Sequence, residues 1–173
     1  AMPGLIDTYG YLGLEGSEKG YSTRFDLKRI VEPGDETDWL ADDDLVVGYL
    51  TGDQAYAYPV RIINSHEIVN DELDGTPLVI TYCPLCRSGV VYDRRVDGRA
   101  LTFSNTSALH DSDLVMVDRE TGSYWWQVAG RSIVGELTGT ALTALPSELA
   151  HWSDWLDRHT GTLVLSRDTG FDR

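Results

Sequence analysis

The sequence predicts a mainly β (α+β) fold: a single compact β-rich domain of short antiparallel strands and hairpins with one clear helix. Short apolar runs rich in β-branched and aromatic residues predict the strands. Turns containing Gly and Asp separate these runs, and one later stretch has helical periodicity. With 173 residues, of which 42% are hydrophobic, the chain is large enough to bury one core.

The first half of the chain divides into a lead-in and a hairpin. Residues 1–40 are rich in Gly, Asp and Glu, and they predict an irregular segment before a single domain at residues 41–173. The runs LVVGYL (45–50) and QAYAYPVRII (54–63) predict two strands joined by a tight turn at residues 51–53. Pro59 lacks an N–H donor, which predicts an edge position or a bulge. The polar stretch NSHEIVND (64–71) predicts one helical turn.

The second half continues with strands and the helix. TPLVITY (76–82) predicts an apolar strand, and Asp97-Gly98 predicts the turn of a hairpin. Further short strands follow, with turns at residues 120–122 and 129–130. Ser147 as N-cap predicts a helix over residues 147–158, and TLVLS (162–166) predicts a last strand. The apolar residues on one face of that helix are Leu149, Trp152, Trp155 and Leu156.

Charge and motifs exclude several classes of protein. The formal net charge is −14 and the pI about 4.4, so a phosphate backbone would be repelled and nucleic-acid binding is excluded. No run of eighteen apolar residues predicts a transmembrane segment. No Gly-rich phosphate loop and no G-x-S-x-G motif is present. We expect a cytoplasmic protein if the visible N-terminus is native, and an exported one if a leader was removed.

The chemistry of the sequence centres on Cys83 and Cys86, the only two cysteines. A thioredoxin-like C-x-x-C motif opens a helix, whose N-terminus stabilises the thiolate. Here the residues that follow, SGVVYD, predict a strand instead. A strand, the tetrapeptide C-P-L-C and a second strand are typical of a metal knuckle. Such knuckles usually occur in pairs that supply four thiolates, and this chain has one.

A mononuclear site therefore needs further ligands. His66 lies upstream of the strand that carries the cysteines, and His110 lies in the sequence LHDSD. Two thiolates with one or two imidazoles suit zinc or copper(I). The sequence HEIVN does not form a zinc-protease motif, because Asn70 stands where the second histidine is required. A symmetric homodimer that pools two cysteine pairs is a further way to complete the site.

Several motifs in order resemble a known family. They are AYPVRIINSHEIVND, TYCPLC, LTFSNTSALHDSDLVMVDRETGSYWWQ, IVGELTGTAL and TLVLSRDTG. From about residue 40 to the C-terminus the chain resembles the DUF3179 domain, a family of unknown function in bacteria and archaea. Selenocysteine replaces a cysteine in some members, which implies a reactive or metal-bound chalcogen. The sequence departs from the family pattern at Ser65, Arg87 and His110.

The resemblance implies a constellation of His66, Cys83 and Cys86. In this constellation Glu67 or Asp71 orients the His66 imidazole by a hydrogen bond to the ring nitrogen that does not bind the metal. The resemblance also places Gln127 on a motif position that can contribute to the site. The charge of Arg87, which directly follows Cys86, would favour a thiolate.

Three functions remain open on this basis. The first is a metal-binding protein or metalloenzyme with a mononuclear copper or zinc site, formed by the two cysteines and a histidine and built on the C-P-L-C knuckle. The second is a metal-free oxidoreductase that cycles Cys83 and Cys86 between dithiol and disulfide, with His66 as base and a small molecule or redox protein as partner. The third is a non-catalytic binding or structural module in which the pair only pins a turn.

Overall fold

The computed structural model describes residues 22–24, 30–34 and 37–167 of the chain. Its elements, in order, are β1 (Ser22–Arg24), β2 (Ile30–Val31), β3 (Leu45–Thr51), β4 (Gln54–Pro59), α1 (Val60–His66), β5 (Ile68–Leu73), β6 (Thr76–Cys83), β7 (Ser88–Asp93), β8 (Arg95–Val96), β9 (Arg99–Ala100), β10 (Phe103–His110), β11 (Asp113–Asp118), β12 (Tyr124–Trp126), β13 (Arg131–Val134), β14 (Thr143–Leu145), β15 (Ser147–His151), α2 (Trp152–Arg158) and β16 (Leu163–Leu165). The fold is mainly β, as predicted.

The strands form three larger sheets and one small hairpin. The central sheet has the order β1-β5-β6-β7-β14, the inner sheet β15-β3-β4-β16-β2 and the outer sheet β10-β11-β12-β13, while β8 and β9 pair alone. Most neighbouring strands are antiparallel, with parallel pairs at β1–β5 and β4–β16. β1 and β2 lie within residues 1–40, the segment predicted to be irregular.

Packing of the sheets creates three hydrophobic clusters and a layered order. One cluster joins the inner sheet and α1 to one face of the central sheet, and it includes Tyr58 and Ile80. A second joins the opposite face of the central sheet to the outer sheet, and it includes Cys83 and Trp125. The third packs α2 on the other face of the inner sheet. The central sheet is therefore covered on both faces, which explains why β6 is an almost continuous apolar run.

Several local predictions are confirmed and three are wrong. The strands at β3 and β6 and the turn at Asp97-Gly98 are present, the latter with φ of 50° and 78°. Residues 60–63 are helix and not strand, because Pro59 ends β4 and its fixed φ suits the start of α1. β4 is also not an edge strand, since it lies between β3 and β16.

The third correction concerns the helix predicted over residues 147–158. Only Trp152–Arg158 is helical, because Ser147–His151 forms β15 and pairs antiparallel with β3. Ser147 is not an N-cap, since its hydroxyl accepts a hydrogen bond from the Val91 N–H at 3.3 Å. Residues 147–151 therefore pair with the edge of β3, although their apolar periodicity predicts a helix. Among the described residues, no helix is both long and apolar enough to cross a membrane.

Candidate functional site

The two cysteines lie at the hairpin between β6 and β7. β6 ends at Cys83 and β7 begins at Ser88, and these two residues are paired across the strands. The four residues between them close the hairpin, with Arg87 in the left-handed region at φ 51°. The loop is therefore short, and it places both sulfur atoms at one end of the central sheet.

An aspartate from the outer sheet meets the two cysteines. The ligand atoms of Cys83, Cys86 and Asp113 all lie within 4.8 Å of one another. Asp113 opens β11 directly after a two-residue turn at Asp111 and Ser112, whose φ values of 50° and 66° fit a type I′ hairpin. The cluster thus bridges two layers of the fold. Cys83 is buried, Cys86 is exposed and Asp113 is buried.

Hydrogen bonds fix the orientation of Asp113. The Cys86 thiol donates to Oδ1 at 3.0 Å, and the Val128 N–H donates to Oδ2 at 2.9 Å. The backbone donor holds one carboxylate oxygen in place, so the other oxygen is directed at the sulfur atoms. This is the arrangement in which a carboxylate is positioned by one partner and offers its free oxygen to another.

Behind the thiol lies a second set of polar side chains. Ser88 Oγ is 3.0 Å from Cys86 Sγ and donates to Gln127 Oε1 at 3.1 Å. Gln127 Nε2 in turn donates to Thr81 Oγ1 at 2.8 Å. Gln127, predicted from its motif position, is therefore linked to the Cys86 sulfur through the Ser88 hydroxyl oxygen. The Ser88 hydroxyl can turn to donate to this sulfur when it becomes a thiolate.

The surroundings of Cys86 favour its protonated form in the metal-free protein. Although Cys86 is largely exposed, partial desolvation of its sulfur and the hydrogen bond to the Asp113 carboxylate raise the pKa of Cys86 to about 11. At neutral pH this thiol keeps its proton, which lies between the sulfur and a carboxylate oxygen. A metal ion bound by both atoms would take the position of that proton.

The dimensions of the cluster are compatible with one tetrahedral ion. At metal–sulfur distances near 2.3 Å, two thiolates on one zinc ion are separated by about 3.8 Å. The ligand atoms here, within 4.8 Å of one another, need only a small contraction to reach that geometry. Both cysteines are free thiols, so no disulfide competes for the sulfur atoms.

The predicted histidine ligands lie outside this group. Among the described residues, the group consists of the two cysteines and Asp113, without His66 or His110. His66 is the last residue of α1 and is buried at 3% exposure. His110 ends β10, where its ring packs edge-on against Trp126 at 4.9 Å between centroids. It also lines a separate cavity of about 90 Å³. Their roles as ligands stay predictions.

The motif residues after His66 connect the layers. Asp71 accepts a hydrogen bond from the Tyr58 hydroxyl at 2.7 Å, on the side of the inner sheet. Asn70 faces the outer sheet, where its side chain donates to the Phe103 carbonyl at 2.9 Å and accepts from the Phe103 N–H at 2.8 Å. These contacts give Asn70 and Asp71 a structural role in holding the layers together.

Glu67, the other candidate for orienting His66, has an unusual environment. It adopts a left-handed conformation at φ 59° as the C-cap of α1. Its carboxylate accepts a hydrogen bond from Asn105 Nδ2 at 2.6 Å, and burial raises the pKa of Glu67 to about 6. The structure thus ties Glu67 to the outer sheet, and its role toward His66 stays a prediction.

Asp113, Ser88 and Thr81 are members of the site that the sequence did not predict. Asp113 lies 27 positions from Cys86, its hydrogen-bond partner. The one local signal is an aspartate that opens a strongly apolar strand, directly after a turn. That signal marks a strand start as readily as a ligand, so only the packing of the outer sheet on the central sheet identifies it.

A comparison with known proteins agrees with these motifs. The layered β fold and its cysteine–carboxylate cluster define a β-rich domain with a candidate metal centre. The family model described as a protein of unknown function (DUF3179) matches residues 26–173, and the chain belongs to this family. No curated protein and no solved structure matches the chain.

Proposed function

We propose that this domain binds one zinc ion through Cys83 Sγ, Cys86 Sγ and an oxygen of Asp113. The observation that carries the proposal is the position of the Asp113 carboxylate. One of its oxygens is held by the Val128 N–H, and the other is 3.0 Å from the Cys86 sulfur. Two thiols and a carboxylate at this spacing offer three anionic ligands once the thiol protons leave.

The ligand set favours zinc over copper(I). Copper(I) prefers soft thiolate and thioether ligands, whereas zinc accepts thiolate and carboxylate oxygen together. Three protein ligands leave one position of a tetrahedral zinc ion for water or a substrate atom. The exposed side of Cys86 provides access to this position. A zinc ion there would act as a Lewis acid, which makes a metalloenzyme the function that this site supports best.

The local electrostatics argue against the thiol–disulfide alternative. Exchange requires a thiolate, and the pKa of Cys86 near 11 keeps the exposed thiol protonated at neutral pH. The neighbouring Asp113 carboxylate is one cause of this raised pKa, because it opposes a second negative charge on the sulfur. A divalent cation reverses this relation, because both anionic groups then stabilise the same ion.

The test is elemental analysis of the full chain, purified anaerobically without a histidine tag, with a thiol count on the same sample. We expect nearly one zinc ion per chain, with both thiols masked until chelation. Cys86→Ser should lose the metal, because a serine hydroxyl keeps its proton at neutral pH. Ser88→Ala is the matched control, since it removes a neighbour of the sulfur and no ligand.

Two results would count against the proposal. Full stoichiometric zinc in Cys86→Ser would show that the metal binds elsewhere. A metal-free wild-type protein whose two thiols form a reversible disulfide would transfer support to the oxidoreductase. Stoichiometric copper in place of zinc would retain the site and correct the element.

A further inference from the structure

A polar groove lies on the other side of the cysteine loop from the proposed zinc ligands. It has a volume of about 520 Å³. Its walls come from the loop after residue 40, from α1 and from the end of β6, and the lining residues used below are Asp43, Asp44, Arg61, Asn64, Tyr82 and Arg87. A space of this size accommodates a small metabolite.

The alternation of β6 separates the groove from the zinc ligands. Tyr82 packs in the cluster between the inner and central sheets, whereas Cys83 packs in the cluster between the central and outer sheets. Successive residues of a strand point to opposite faces, so the groove and the ligands share one loop and occupy opposite sides of it. The groove is therefore a second site beside the first.

One of the two arginines of the groove is engaged. Arg61 NH1 donates to the Trp39 carbonyl at 2.8 Å and forms an ion pair with Asp44 at 3.1 Å. Its guanidinium also lies over the Trp39 ring, 5.8 Å from the centroid. The charges of Arg61 and Asp44 therefore compensate each other, and these contacts hold the α1 wall of the groove in place.

Arg87 differs from Arg61. It is exposed, and within the part of the chain that the structure describes it makes no hydrogen bond or ion pair. Its φ of 51° lies in the region that Gly and Asn adopt most easily, so an arginine backbone is strained there. Asn64 and Tyr82 add an amide and a hydroxyl to the same groove.

We propose that this groove binds the oxyanion of a small molecule, a carboxylate or a phosphate, with Arg87 as its principal charge partner. The guanidinium fork is suited to two parallel hydrogen bonds with such a group. The Asn64 amide and the Tyr82 hydroxyl supply neutral donors. Asp43, the remaining acid of the groove, keeps the anion on the loop side, next to Arg87.

The test is a titration of the full chain by two-dimensional ¹H–¹⁵N NMR with inorganic phosphate and, separately, with acetate. Ionic strength is held constant with chloride. We expect saturable shifts at the Arg87 and Asn64 side-chain N–H signals. The stronger of the two probes identifies the class of oxyanion. Metal content is measured on every sample, so a failure of the zinc proposal is seen independently of this result.

The informative variant is Arg87→Asn, because asparagine tolerates the left-handed conformation and preserves the loop. We expect at least about tenfold weaker anion binding, which corresponds to about 1.4 kcal/mol, with metal content unchanged. Arg99→Asn makes the same change at an exposed arginine of β9 outside the groove, and it should bind as wild type does. Equal binding by Arg87→Asn and wild type, or no saturable shift with either anion, would overturn the inference.

Discussion

Two buried aspartates lie at opposite ends of one strand, β11, and their environments differ. Asp118 accepts hydrogen bonds from the Thr121 N–H at 2.6 Å, from the Thr121 hydroxyl at 2.9 Å and from the Trp125 indole at 2.8 Å. Asp113 accepts one backbone N–H and one thiol proton. A carboxylate whose oxygens accept several N–H and O–H hydrogen bonds stabilises a turn. A carboxylate that faces a weak thiol donor can still bind a cation.

The largest expected effect is on zinc affinity, and it distinguishes Asp113 from Asp111 in the adjoining turn. Asp113→Asn should weaken zinc binding by at least about 100-fold, because a neutral amide oxygen replaces an anionic ligand. Asp111→Asn is the matched control: it removes the same charge from an exposed side chain in the same turn. Competition with a chromophoric chelator measures both affinities. Equal affinities in the two variants would remove Asp113 from the ligand set.

A substitution at Asp118, at the other end of the strand, should affect stability alone. Asp118→Ala leaves the Trp125 indole N–H and the Thr121 N–H without their acceptor, and we expect it to lower the free energy of unfolding by about 3 kcal/mol. Urea unfolding followed by tryptophan fluorescence measures this loss. Zinc content should stay at the wild-type level. A variant that loses zinc in proportion to its stability would show that the two carboxylates are not independent.

A smaller effect concerns Glu67, a half-buried carboxyl held by an amide. Its folded-state pKa of about 6 lies above the unfolded value, so its contribution to stability is complete below about pH 4.3 and is lost as the pH rises through 6. Glu67→Gln stays neutral, so its melting temperature relative to wild type should rise by about 2 °C between pH 4 and pH 7.5. Thermal scans across this range check the sign. A constant difference would contradict the raised pKa.

Much of the fold follows from local pattern. The apolar runs of β3 and β6 and the Asp97-Gly98 turn predict their elements correctly, because each depends on residues adjacent in the chain. The helix predicted at residues 147–151 is wrong because pairing with β3 outweighs apolar periodicity. The strand predicted over residues 60–63 is wrong because the fixed φ of Pro59 suits both the end of a strand and the start of a helix.

The candidate site is predictable only in part, for a physical reason. The spacing of Cys83 and Cys86 is local, and it correctly indicates a pair of sulfur atoms on a hairpin loop. Asp113 and Asp118 both flank the same apolar run, LVMV, so nothing in the sequence distinguishes them. What separates them is their partners: Asp113 meets Cys86, which lies on a distant hairpin of the central sheet, whereas Asp118 is bound by Thr121 and Trp125, which follow it closely in the chain.

The adjacent pair Asn70 and Asp71 has a consequence for how the layers align. Asn70 both donates to and accepts from the Phe103 backbone in the outer sheet, and Asp71 accepts from Tyr58 in the inner sheet. If β5 slipped by one residue, the carboxylate would face the Phe103 carbonyl, and two acceptors would be buried against each other. Burying two acceptors against each other is costly. This dipeptide therefore fixes the register of β5 relative to the inner and outer sheets.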